Sequence, residues 1–132
     1  MIRLQHANIT VDDPDATAHW LCNVFGWEVQ WRGSGIEVGR TVHVGTSDSY
    51  IALFTFGGPN APRPARYRTR GMLNQLSVLT EEAIEAVEAR VANAGFEPFN
   101  HRATGQGATG AGRRFSFLDN DGIEWEVASH QH

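Results

Sequence analysis

The chain repeats itself. A single offset of 69 residues carries Leu4 onto Leu73, His6 onto Gln75, Asp12 and Asp13 onto Glu81 and Glu82, Gly26 onto Gly95, Trp27 onto Phe96 and Glu28 onto Glu97. The matched positions are structural signals: a strand start, an acidic helix entry, a glycine stop and the strand that follows it. Further on, past a loop that is longer in the second half, Tyr50-Ile51-Ala52-Leu53-Phe54 matches Glu124-Trp125-Glu126-Val127-Ala128. Each half reads β-α-β-β-β over about 60 residues, too few to bury a sheet alone, so the halves must be paired. The expected fold class is α+β: two tandem βαβββ modules forming a curved, mostly antiparallel eight-stranded sheet. The helices cover its convex face and leave a concave one. The expected organisation is a single domain over 1–132, with module 1 at about 1–56, a connector at about 57–71 and module 2 at about 72–129.

Local chemistry fills in this frame. From Arg3 to Val11, Ala7, Ile9 and Val11 alternate with His6, Asn8 and Thr10, the period of a strand with one apolar face. Asp12, Asp13 and Pro14 open a helix whose Thr17, Trp20, Leu21 and Val24 keep helical spacing until Gly26. Strands are expected at about Trp27–Arg32, Arg40–Gly45, Tyr50–Phe56 and Leu73–Leu79. Thr80-Glu81-Glu82 opens the second helix, with Ile84, Val87, Val91 and Ala94 as its apolar stripe, and a strand follows from Phe96 to Asn100. Residues 104–112 are mostly Gly, Ala and Thr and read as a flexible loop that could cover a site. The last two strands, Arg113–Asp119 and Ile123–Ala128, flank a turn at Asp119-Asn120-Asp121-Gly122, where Asp and Asn bond their own backbone and Gly accepts positive φ.

Composition excludes several classes. The net charge of −4 gives no general affinity for nucleic acid. The lone Cys22 forms no internal disulfide framework and reads as core rather than nucleophile. No apolar run reaches membrane length and no leader is recognisable, so a cytoplasmic protein is expected. Arg63, Arg66, Arg68 and Arg70 crowd the connector and read as a solvated loop, with a clamp for a carboxylate or phosphate as the alternative.

His6-Ala-Asn-Ile-Thr-Val-Asp-Asp, the helix ends Phe25-Gly26 and Ala94-Gly95, and the terminal Asp119-Asn-Asp121-Gly122-Ile-Glu-Trp-Glu126 together resemble the vicinal oxygen chelate superfamily. That superfamily includes glyoxalase I, extradiol dioxygenases, fosfomycin-modifying thiol transferases and bleomycin-binding resistance proteins. The resemblance spans essentially the whole chain. It implies a divalent metal, Fe, Mn, Ni or Zn, on the concave face. Carried over by position, the ligand places are His6, Ala52, Gln75 and Glu126. Three can ligate and Ala52 cannot, which argues against glyoxalase chemistry, where a carboxylate there moves a proton. The resemblance also implies a homodimer.

Two readings of function follow. In the first, His6, Gln75 and Glu126 hold a metal with open positions for a small substrate bearing adjacent oxygens, and Glu126 takes part in catalysis, as in a dioxygenase or thiol transferase. In the second, the protein holds a small molecule or drug on the same face with no metal. Strand alternation adds Asn8, Tyr50, Phe54, Ser77 and Glu124, with Ala52, as residues expected to line the pocket. Trp20, Trp27, Trp31 and Trp125 are expected in the core or in a pocket wall.

Overall fold

A computed structural model describes residues 1–36, 38–104 and 112–130. The chain divides into two compact units, Met1–Ala61 and Pro62–His132. Unit 1 contains β1 (His6–Thr10), α1 (Pro14–Phe25), β2 (Glu28–Ser34), β3 (Arg40–Gly45) and β4 (Tyr50–Thr55). Unit 2 contains β5 (Leu76–Thr80), α2 (Ile84–Asn93), β6 (Phe99–Thr104), β7 (Gly112–Leu118) and β8 (Glu124–His130). The fold is α+β, built from two βαβββ modules. Its eight described strands form two four-stranded sheets, in the orders β1-β4-β3-β2 and β5-β8-β7-β6.

The repeat is exact in register. β1 runs parallel to β4 with Asn8 opposite Ala52, and β5 runs parallel to β8 with Ser77 opposite Glu126. Every other described pairing is antiparallel. No described helix is long and apolar enough to cross a membrane.

In unit 1, Asp13 caps α1 by accepting hydrogen bonds from the Asp15 and Ala16 N–H groups, and Pro14 follows it in the first turn. Gly26 ends the helix at φ +72° and donates its N–H to the Cys22 carbonyl. Thr17, Ala18, Trp20, Leu21 and Val24 form the buried side of the helix. Asp15 reaches from α1 to Arg40, at 2.7 Å, and to Arg32. Both arginines share a sheet face with Val42 and Val44, so this is the face α1 covers. The Arg40 hydrogen bond, followed by that of Arg32, lowers the Asp15 carboxyl to about 2.

In unit 2, Glu85 pairs with Arg113 and Glu88 with His101, which fixes the face under α2. Phe115, Phe117, Trp125 and Val127 fill the core of that face with Ile84, Val87 and Val91. A fully buried side chain of this size stabilises by about 1.5–3 kcal/mol.

Element boundaries differ from the sequence reading in several elements: β1 spans only His6–Thr10, β8 runs on to His130, and three further shifts follow. The α2 helix starts at Ile84 rather than Thr80, because the Thr80 hydroxyl accepts the Glu82 N–H and closes a turn there. β6 starts at Phe99 rather than Phe96: Phe96 is buried against Phe117, and Pro98 has no N–H for a ladder. β5 starts at Leu76, so Gln75 precedes the strand. The expected loop over 104–112 falls largely outside the described residues; Thr104 ends β6 and Gly112 opens β7.

Candidate functional site

On the face of the first sheet opposite α1, a row of rings takes one member from each strand. His6 of β1 stacks on Tyr50 of β4 with ring centroids 4.8 Å apart. Tyr50 stacks on His43 of β3 at 4.6 Å. His43 meets Trp31 of β2 at 5.1 Å. The four rings form a continuous row across the sheet.

Trp31 joins this row because β2 is bulged. Val29 lies opposite Val44, but after the bulge Trp31 lies opposite His43. One extra residue moves the side chains beyond it to the other face. Gly33 is opposite Thr41 on the same face, and the Trp31 indole lies so close over it that a Cβ there would overlap the ring. Asn8, Trp31, Ile36, Thr41, His43 and Phe54 line a cleft of about 490 Å³. Trp31 is 47% exposed, so its ring is accessible to a ligand. The His43 imidazole is pushed below its ordinary value, first by burial and second by nearby His6. His6 Nδ1 lies 3.0 Å from the Gln5 side-chain oxygen.

The corresponding face of the second sheet is charged. Glu126 of β8 is 5% exposed and accepts from three side chains. Arg114 of β7 donates at 2.5 Å and the Ser77 hydroxyl of β5 at 3.1 Å, both to Oε1. Arg102 of β6 reaches Oε2 at 3.5 Å. A second bulge sets this arrangement: Phe99 lies opposite Ser116, but Arg102 lies opposite Arg114. Two strand positions from Glu126, Glu124 meets Arg66 of the connector at 3.4 Å. Arg66 also donates to the Asn74 carbonyl, and Arg63 donates to the Gly122 and Leu73 carbonyls. Two of the four connector arginines, both within unit 2, therefore hold this part of the connector to the chain before β5 and to the start of β8.

Of the residues singled out in the sequence, His6, Asn8, Tyr50, Ala52 and Phe54 share the face of the first sheet opposite α1. Ser77, Glu124 and Glu126 share the face of the second sheet opposite α2. Gln75 is half-buried just before β5. Among the described residues, neither unit gathers three His, Cys, Asp or Glu side chains into a cluster that could hold a metal. His43, Arg102 and Arg114 were not singled out. Strand alternation alone places His43 between Val42 and Val44, and Arg114 beside Phe115, on the faces away from the helices. Nothing in the sequence marks the bulge that brings Arg102 to its face.

Comparison with solved structures finds similar folds. The structure of a glyoxylase/bleomycin resistance protein/dioxygenase domain from Frankia sp. EAN1pec aligns with a TM-score of 0.79 at 23% identity, covering 99% of each chain. The fosfomycin resistance protein FosX from Listeria monocytogenes aligns at 0.69 and 18% identity, over 99% of this chain and 95% of its own. TnmS3, an antibiotic binding protein from Streptomyces sp. CB03234, aligns at 0.71 and 17% identity, over 99% of this chain and 98% of its own. These likenesses show the fold. No curated protein matches the sequence. The family profile described as Glyoxalase/Bleomycin resistance protein/Dioxygenase superfamily matches residues 3–127, and the chain belongs to that superfamily.

Proposed function

We propose that this protein binds a small planar aromatic molecule on the first sheet and does so without a metal. The observation that carries the reading is the row His6–Tyr50–His43–Trp31, one ring per strand, beside a cleft of about 490 Å³. Offset stacking on such a surface contributes about 0.5–1.5 kcal/mol per ring pair beyond burial. A rigid sheet holds the rings in place before the ligand arrives, which lowers the entropic cost of binding. Asn8 and Thr41 supply the few polar contacts that orient a ligand in an apolar cleft. TnmS3, an antibiotic binding protein, is an example of a similar fold that binds a small molecule.

The superfamily commonly uses a divalent metal, and the donors offered here for one are His6, Gln75 and Glu126. They do not fit that role as they stand. The Glu126 carboxylate is engaged by two guanidinium groups and a hydroxyl, so a cation would have to displace Arg114 at 2.5 Å and enter against its charge. Gln75 offers a neutral oxygen, a weaker ligand, and Ala52 offers none.

The test is titration with planar naphthalene- and acridine-type probes, followed by tryptophan quenching, with and without chelator. The expected result is saturable binding that chelator leaves unchanged and that Trp31→Ala weakens about tenfold, equivalent to ~1.4 kcal/mol. Binding that requires an added divalent cation and disappears in Glu126→Ala would establish the metal-dependent enzyme reading instead.

A further inference from the structure

We infer, resting on the reading of the first sheet as an aromatic-binding surface, that the hairpin between β2 and β3 sets the size of the ligand. Phe54 and Ile36 form the far wall of the cleft, and the site selects flat molecules of two or three fused rings over a single ring.

Three glycines of the hairpin each make room for an aromatic ring. A Cβ at Gly33 would overlap the Trp31 indole. A Cβ at Gly35 would lie 2.7 Å from the Phe54 ring and 2.9 Å from the Thr41 hydroxyl, and one at Gly39 would lie 2.5 Å from the same ring. None of the three has a positive φ, so backbone conformation does not call for glycine at these places. The close approach of the rings does. Gly39 also meets the Thr55 carbonyl, whereas the nearest atoms around Gly35 all belong to side chains.

These seats put two aromatic walls at opposite ends of one line. Gly33 is opposite Thr41, and Thr41 is opposite Phe54, so the three lie side by side on β2, β3 and β4. Adjacent strands are about 4.8 Å apart, so the line from Gly33, under the Trp31 ring, to Phe54 is about 10 Å long. A ligand touching both rings must span most of that length, which two or three fused rings do and one ring does not. Ile36 closes the Phe54 end. It lines the cleft and is 75% exposed, an apolar side chain that a ligand reaching Phe54 would cover. The turn fixes its place: Gly35 donates its N–H to the Gly39 carbonyl at 2.9 Å, and Gly39 donates its own to the Ile36 carbonyl at 3.0 Å. The Phe54 ring lies against both glycines of that turn and is therefore a positioning residue for Ile36.

The experiment compares a three-ring probe of the acridine type with a one-ring probe of the aniline type on the full chain. Acridine is followed by tryptophan quenching, and aniline, at millimolar concentration, by proton NMR of the protein. Ile36→Ala should weaken acridine about fivefold and leave aniline within about twofold, because one ring stacked on Trp31 does not reach residue 36. The melting temperature of that variant should be nearly unchanged, since the side chain is mostly exposed. Gly35→Ala puts a methyl group where the Phe54 ring lies and drives the ring into the cleft, so acridine should weaken about tenfold while aniline again holds. Acridine bound equally by the wild type and both variants, or both probes weakened in the same proportion, would overturn the inference, and would leave aromatic binding intact where Trp31→Ala still weakens acridine. Absence of acridine binding to the wild type, or binding indifferent to Trp31→Ala, would instead remove the aromatic-binding reading and this inference with it.

Discussion

Trp125 donates its indole N–H to the Asp119 carboxylate at 3.0 Å, tying the turn between β7 and β8 to the core of the second sheet. The other carboxylate oxygen accepts the backbone N–H groups of Asp121 and Ile123. Asp119 therefore does more than tolerate a turn: it satisfies three donors in a site where water is scarce. Trp125→Phe removes the indole donor and also leaves a void where the larger ring was fully buried, and should cost about 2–4 kcal/mol in urea unfolding. Burial raises the Asp119 carboxyl above its ordinary value, against the hydrogen bonds that lower it. A raised acid binds its proton more tightly when folded, so its contribution is largest below 3.8 and declines as pH rises towards the folded value. Stability measured from pH 3.5 upward should fall less steeply in Asp119→Asn than in the wild type, after allowing for a uniform loss from the altered hydrogen bonds.

The Trp31 ring owes its position to Gly33. A Cβ at residue 33 would occupy the space of the indole, and the Gly33 backbone is not in the left-handed region, so alanine is acceptable to the chain itself. Trp31 is exposed enough to swing away at little cost. Gly33→Ala should therefore change stability by less than about 0.5 kcal/mol, shift tryptophan emission, and weaken aromatic ligands nearly as much as Trp31→Ala does. An unchanged affinity would show that the end of the ring row takes no part in binding.

Much of the fold could be read from the chain because its signals are local and repeated. The 69-residue offset and the match of Tyr50–Phe54 to Glu124–Ala128 reappear as the register pairs Asn8–Ala52 and Ser77–Glu126. Capping at Asp13 and the stop at Gly26 were equally visible. The candidate site was legible only where alternation is unbroken. The period of two places Asn8, Tyr50, Phe54, Ser77 and Glu124 on these faces. It does not place Arg102 there, and Trp31 was recognised only as core or wall, because each lies beyond a bulge that reverses the face of the strand. A bulge adds one residue and leaves no compositional mark. The partners of Glu126 were hidden for a related reason: Arg102 and Arg114 meet it across strands, and pairing is set by tertiary register.

His43 should titrate below 6.5, since burial and then the nearby His6 disfavour its charged form. A base with a depressed folded value contributes stability that is fully present above pH 6.5 and is lost as pH falls through the folded value. Urea unfolding between pH 5 and 7.5 should show that slope, and His43→Gln should flatten it. The neutral ring is also the one that stacks with Tyr50 and Trp31 without a charge to solvate. Affinity for an uncharged aromatic probe should accordingly fall over the same pH range, and imidazole proton resonances should report the same midpoint.

Ala52 is the residue where the two readings of function diverge most. It is 2% exposed on β4, opposite Asn8 on one side and His43 on the other, within the ring-bearing face. Ala52→Glu would place a carboxylate at the position equivalent to Glu126, but Glu126 has Arg102, Arg114 and Ser77, whereas the strand partners of residue 52 are Asn8 and His43. Of these two, only His43 can carry a positive charge, and burial and the nearby His6 disfavour its charged form. Burying a weakly paired carboxylate should cost about 2–4 kcal/mol at neutral pH. The cost should diminish in acid, where His43 becomes charged and the new carboxylate can itself protonate. The longer side chain should also intrude on the ring row and weaken aromatic probes. Metal-dependent chemistry makes the opposite prediction, because a further anionic oxygen tightens a divalent ion. Calorimetric titration of wild type and Ala52→Glu with Mn, Fe(II), Ni and Zn separates them. A lowered melting temperature with no gain in metal affinity supports aromatic binding without a metal, while a variant stabilised by stoichiometric metal would overturn it.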